Sequence, residues 1–188
     1  MPDAVRPNNR LFVALDLPDD LRQALAARGQ ALERAHGGRA VPAANLHVTL
    51  DFLGRVPPER AEGLIQALPG ALRWPALRVR LAGAAQRPAR GPARLVAAEL
   101  EALDAGDLPE RVDGLRRLVA DAIGREEVDG RHWLHVTVLR MGQPTRLAGF
   151  DWPGDERVFD ISRATLYDSH IAPGRAPRYE PVVRVPLG

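Results

Sequence analysis

The 188-residue chain contains no cysteine and no lysine. Without cysteine it can form no disulfide, hold no metal through a thiolate and use no thiol nucleophile. Without lysine it has no Schiff-base amine, no P-loop lysine and no amine to adenylate, which argues against an ATP-dependent nucleic-acid ligase. All 26 basic residues are therefore arginine, set against 24 acidic ones. The arginine total, with abundant Ala, Gly and Pro, fits a GC-rich codon bias. Where arginines cluster, their guanidinium groups still suit bidentate recognition of phosphate. No apolar run approaches the roughly 20 residues of a membrane span. The polar N-terminus, residues 1–10, lacks an apolar stretch ending in a small-residue cleavage site. A cytoplasmic protein with no membrane partner is the expectation.

At 45% hydrophobic and 27% charged, the chain can bury a core. Its length fits one compact domain or two small fused lobes. Residues 10–17 (RLFVALDL) predict a strand stopped by Pro18. Asp19 and Asp20 suit the first turn of a helix through 35, with Leu21, Leu25 and Leu32 near helical spacing and Gly37 and Gly38 ending it. A second strand is predicted over 45–54, and Pro57, Pro58 and Glu59 open a helix to about 68. Strands over 77–81 and 94–100 flank a Pro/Gly/Arg-rich loop. A helix over 108–123 follows, capped by Gly124, then strands over 133–140, 158–167 and 179–185. Strands and helices alternate without regular βαβ units, so the expectation is α+β with antiparallel pairing. Each half of the chain offers a helix, a similar strand and further strands, the pattern of a duplicated lobe.

That similar strand is Leu-His-Val-Thr, at 46–49 and again at 134–137. Side chains alternate across a strand, so Leu46, Val48 and Leu50 share one face and Asn45, His47, Thr49 and Asp51 the other. In the second copy Leu134, Val136 and Val138 oppose His135 and Thr137. A single strand histidine is more often structural than catalytic. Two copies, in a chain with five histidines, favour function. Two histidines could also ligate zinc, but no cysteine, HxH or HExxH pattern supplies the remaining ligands. Phosphodiester hydrolysis needs a base for the attacking water and an acid for the departing oxygen. Imidazole, with a pKa of about 6.5, can serve as either. Histidines facing each other across a cleft meet the in-line geometry, and the threonine hydroxyls can donate to the non-bridging oxygens. No cofactor is called for.

With these motifs the chain resembles the two-histidine (2H) phosphoesterase superfamily, and within it the bacterial and archaeal RNA 2',3'-cyclic phosphodiesterases, historically called 2'-5' RNA ligases. RLFVALDLP, VPAANLHVTLDFLG and LHVTVLR carry the resemblance, with Leu166 to Ser169 and 174–179 similar to the family's closing strands. The resemblance implies one bilobal α+β domain over 1–188, with two pseudo-twofold-related lobes, antiparallel sheets around a central cleft and helices outside. It also implies hydrolysis of RNA 2',3'-cyclic phosphate ends, or of cyclic nucleotides, to 2'-phosphomonoesters. His47 would be the acid that protonates the 3' oxygen, and His135 the base. Ligation to a 2'-5' linkage would be the same chemistry run backwards, without a nucleotide cofactor. One departure is Leu134, where the family usually has proline. Arg140 matches a frequent family arginine that could bind phosphate, yet alternation puts it opposite His135 unless twist or a bulge near Gly142 brings it round.

Phe52 is a candidate for stacking on a nucleobase, or else a core residue beside Leu53; Trp133 has the same two readings. Tyr167 and His170 could line the cleft, with His170 read as a loop residue. His36 and His132 read as exposed. Arg87 to Arg94 reads as a solvated loop that could also grip an RNA backbone. Other substrates remain open: a small cyclic nucleotide, a 2'-5'-linked oligonucleotide or ADP-ribose 1'',2''-cyclic phosphate. A non-catalytic RNA-end-binding module is the rival from a different class. A cleft completed within one chain predicts a monomer.

Overall fold

The first strand is apolar on both faces, which suits a position inside a sheet rather than at its edge. In the computed structural model Leu11, Val13 and Leu15 point one way, Phe12 and Ala14 the other, and all five are buried. The structure describes residues 9–104, 106–126, 132–149, 152, 155–172, 174 and 176–188. The polar segment 1–8 lies outside these, as does 175 within the closing 174–179 stretch. In chain order the elements are β1 (Asn9–Asp16), α1 (Asp19–His36), β2 (Arg39–Ala40), a 3-10 turn (Ala43–Asn45), β3 (His47–Val56) and α2 (Pro58–Ala71). Then come β4 (Leu77–Arg87), β5 (Ala93–Ala102), α3 (Leu108–Ile123), β6 (His135–Thr145), β7 (Asp155–Ile161), β8 (Arg163–His170) and β9 (Arg178–Pro186).

The strands form two antiparallel sheets, ordered β3-β1-β8-β9 and β2-β6-β5-β4-β7. Two differences from the sequence expectations matter. The strand expected over 158–167 is two strands, β7 in one sheet and β8 in the other, parted at Ser162 without a Gly or Pro to mark the break. Nor are the lobes the two halves of the chain. The four-stranded sheet takes β1 and β3 from the beginning and β8 and β9 from the end. The repeated unit is strand–helix–strand: β1-α1-β3 matches β5-α3-β6, with β8-β9 flanking the first pair as β4-β7 flank the second.

Each repeat's helix packs across the boundary. Helix α1 lies on β2 and β6 of the five-stranded sheet, while α3 lies on β3 of the other and against α2. The exchange joins the lobes through one continuous cluster of buried side chains, including Leu25 of α1, Leu50 of β3, Val112 of α3 and Val138 of β6. The motif strands β3 and β6 approach each other where the sheets meet.

Candidate active site

Alternation holds through each Leu-His-Val-Thr segment and then breaks at the same point in both. Leu46, Val48 and Val136 are buried, Leu134 packs against the core, and His47, Thr49, His135 and Thr137 face the space between the sheets. On β3 the pairing with β1 runs Ala14 to Thr49 and then Val13 to Asp51, leaving Leu50 as an extra residue. On β6 the pairing with β5 runs Ala97 to Thr137 and then Val96 to Leu139, leaving Val138 extra. A bulge of one residue reverses the facing of those that follow. Phe52 and Arg140, equivalent in the repeat, therefore both come round to the cleft. Arg140 is brought there by the bulge at Val138, not by one near Gly142. Asp51, expected beside His47, instead turns inward and pairs with Arg125 at 2.6 Å. Phe52 is no core residue, being 66% exposed.

Each bulge needs partners for its backbone. The Leu50 carbonyl accepts from Arg116 Nε (3.4 Å) and the Val138 carbonyl from the Val41 N–H (2.9 Å). Helix α1 seats on the second bulge at Gly29, where a Cβ would come 2.8 Å from the Val138 carbonyl oxygen. Leu134, in place of the family's proline, leaves the strand entry intact: its carbonyl accepts the Leu100 N–H at 3.0 Å.

The backbone also sets the histidine tautomers. Nδ1 of His47 lies 2.7 Å from the Asn45 carbonyl, and Nδ1 of His135 lies 2.8 Å from that of Trp133. A carbonyl only accepts, so each Nδ1 carries the hydrogen and each neutral ring presents Nε2 as an acceptor. His47 Nε2 is 3.1 Å from Thr49 Oγ1. Phe12 packs against the His47 ring at 4.9 Å, and Tyr179 meets it edge-on at 5.4 Å. Burial pushes its pKa down to about 4, helped by Arg140 and His135 and opposed by the Asn45 carbonyl and Asp16. Asp16 is its cross-strand partner and accepts from the hydroxyls of Tyr167 (2.8 Å) and Thr165 (2.9 Å).

His135 leans on different chemistry. Its ring stacks on Trp133 at 3.8 Å and 13°, and the Arg87 guanidinium lies over the same indole at 3.8 Å. Trp133 Nε1 donates to Glu99 at 3.0 Å, and Glu99 is the cross-strand partner of His135. Burial lowers the His135 pKa, with Arg87 and Arg140 adding to the effect and the Trp133 carbonyl and Glu99 opposing it.

His47, Thr49 and Phe52 from one sheet and His135, Thr137 and Arg140 from the other line one cavity of about 820 Å³. Trp133 is neither core nor free platform, since it is sandwiched between Arg87 and His135. Tyr167 stacks on Phe12 at 5.3 Å behind His47 and is not among the cavity's lining residues. His170 ends β8 rather than lying in a loop, its Nε2 3.3 Å from Asp168 and 3.1 Å from Glu180. His132, read from sequence as exposed, is half-buried, and burial pushes its pKa to about 4. In the arginine-rich loop only Arg87 is engaged at the site; Arg90 and Arg94 are exposed. Sequence reasoning missed Asp16, Glu99 and Tyr179; the two acids interrupt otherwise apolar strands, which was their one signal. Among the described residues no group of three or more His, Cys, Asp or Glu is arranged to hold a metal ion, and no helix is long and apolar enough to cross a membrane.

This architecture, two pseudo-symmetric sheets each presenting a His-x-Thr strand to one cleft, is that of a two-histidine phosphoesterase. Residues 15–96 match the family described as LigT like Phosphoesterase. The chain is similar to the RNA 2',3'-cyclic phosphodiesterase of Escherichia coli, at 30% identity over 93% of this chain and 94% of that one. It is also similar to the Thermus thermophilus protein of the same name, at 33% identity over 77% of each. The crystal structure of E. coli LigT complexed with 3'-AMP superposes with a TM-score of 0.79 at 30% identity, over 96% of this chain and 98% of that one. The chain thus belongs to the LigT-like phosphoesterases and is an enzyme of that family.

Proposed function

We propose that the protein hydrolyses RNA 2',3'-cyclic phosphate ends to 2'-phosphomonoesters by a metal-independent, two-histidine mechanism. The observation that carries the reading is the shared cavity: both motif histidines line it with the same tautomer, beside Thr49, Thr137 and Arg140. Water attacks phosphorus in line with the 3' oxygen. His135 Nε2 takes the water's proton, the bond from phosphorus to the 3' oxygen breaks, and His47 Nε2 protonates that oxygen. Thr49, Thr137 and Arg140 hold the non-bridging oxygens, and Phe52 stacks on the terminal base. The assignment of acid and base follows the family resemblance.

Both imidazoles are biased toward the neutral form, which suits His135 as a base. His47 must acquire a proton to act as an acid. A bound phosphate anion supplies the bias, since an opposite charge within about 4–6 Å favours the charged form. Ligation to a 2'-5' linkage would use the same groups, with an RNA 5'-hydroxyl in place of water. The family match and the names of the relatives support the RNA substrate. The unbroken core and the cavity built from one chain support a single bilobal domain that acts as a monomer, and the absence of cysteine fits a cytoplasmic setting. Turnover of a 2',3'-cyclic nucleotide in EDTA, lost in both His47→Ala and His135→Ala, is the expected result. Full activity in either variant contradicts the mechanism.

A further inference from the structure

A second cleft, of about 380 Å³, is lined by two residues that adjoin His47, with Asp16 its cross-strand partner and the Tyr167 ring 6.5 Å away. Its walls include Asp16 at the end of β1, Arg163 and Tyr167 of β8, Arg184 of β9, and Asp19 and Arg22 in the first turn of α1. It opens on the same face of the four-stranded sheet as His47. Asp16 pairs across strands with His47, Arg163 and Tyr167 share a face of β8 by alternation, and Arg184 pairs across strands with Thr165, which also bonds Asp16. The partition between the two spaces is thin. The Tyr167 ring faces His47 at 6.5 Å, and its hydroxyl bonds Asp16 on the cleft side.

The charges in this cleft do not balance. Asp16 pairs with Arg163 at 3.2 Å and Asp19 with Arg22, while Arg184, which is exposed, has no carboxylate partner among the described residues. Three planar guanidinium groups on one small concave surface match the geometry of a phosphodiester, whose two oxygens accept paired N–H donors. The neighbouring site handles the terminal phosphate of a polyanion, and the next phosphate of an RNA chain is a single ribose away.

We propose that this cleft seats the phosphodiester immediately 5' of the terminal cyclic phosphate, which makes the protein selective for RNA chain ends over free cyclic mononucleotides. The inference rests on the phosphodiesterase reading. It assigns Arg22, Arg163 and Arg184 to binding the chain and gives them no part in the reaction at the terminal phosphate.

The test compares kcat/KM for a 2',3'-cyclic mononucleotide with that for a short oligonucleotide ending in the same cyclic phosphate. The unsubstituted protein should prefer the oligonucleotide, more strongly at low salt because the extra contact is ionic. Arg184→Ala should remove about tenfold of that preference, the amount one charge-assisted contact supplies. Arg184→Lys should restore part of it, and neither should change mononucleotide turnover. Arg22→Ala, with β9 untouched, should act in the same direction. Equal kcat/KM for the two substrates in the unsubstituted protein, or a preference that survives Arg22→Ala/Arg184→Ala, would overturn the inference and leave the phosphodiesterase reading standing. No turnover of either substrate by the unsubstituted protein would overturn both.

Discussion

His47 and His135 occupy matching points on matching strands, yet aromatic rings from three strands surround His47 while a single indole backed by a guanidinium supports His135. The frame of the repeat is held in common: a carbonyl two residues before each histidine, an acid across the strand from it (Asp16 or Glu99), and a bulge after each threonine. What surrounds it has diverged. The residue each bulge delivers is Phe52 in one lobe and Arg140 in the other, so equivalent positions furnish an apolar platform at one place and a charge at another. The comparison teaches how a duplicated lobe yields an asymmetric site. The geometry that the proposed mechanism requires to be shared, two imidazoles facing one phosphorus, stays in the backbone, and the proposed distinction between base and phosphate is left to side chains.

Loss of either histidine should have the largest effect. His47→Ala and His135→Ala should each lower kcat by roughly 10²–10⁴-fold, the range for a positioned acid or base. The double variant should be little worse than either single one, since the two act as a unit. Additive losses would mean two independent sites.

The residues delivered by the two bulges should have the next largest effects. Arg140→Ala should reduce kcat/KM by about 10–100-fold for every substrate, as expected for a lost ionic hydrogen bond. Phe52→Ala should raise KM for nucleotide substrates by about tenfold with little change in kcat, from lost stacking. If both variants changed the same kinetic constant, the division into platform and charge would be wrong.

Gly29→Ala tests the bulge itself. A Cβ 2.8 Å from the Val138 carbonyl forces α1 off β6, which should destabilise the fold by about 1–3 kcal/mol. The loss should appear as a lower Tm together with weakened phosphate binding through a displaced Arg140.

The smallest effects should appear in pH profiles. Asp16 and Glu99 raise the pKa of His47 and His135 respectively, so Asp16→Asn and Glu99→Gln should each move one limb of the kcat/KM profile to lower pH, and not the same limb. A bound anion raises both imidazoles, so the kcat profile should lie at higher pH than that of kcat/KM.

Much of this was legible in the sequence. Helix α3 follows the predicted 108–123, because Val112, Leu115 and Val119 repeat at helical spacing and Gly124 caps it in the left-handed conformation. The four His and Thr side chains followed from alternation alone. The facing of Phe52, Asp51 and Arg140 did not, because a bulge breaks the period on which such reasoning depends. Its traces were present: Leu53 lies three residues after Leu50, and Val138 and Leu139 are adjacent apolar residues where alternation calls for one. The lobes were misassigned to the halves of the chain because strand pairing between its beginning and its end, β1 with β8, leaves no local signature. Asp16 and Glu99 acquire meaning only through the pairing of β1 with β3 and of β5 with β6, which sets each acid opposite a histidine.

The proposed mechanism requires one phosphate to touch both imidazoles. Imidazole 15N resonances followed by NMR during titration with a 2'-nucleoside monophosphate, the product, test it directly. The Nε2 signals of His47 and His135 should shift together along a single isotherm toward the protonated form, and Arg140→Ala should weaken both by the same factor. A shift confined to one histidine, or two isotherms with different Kd, would contradict the claim.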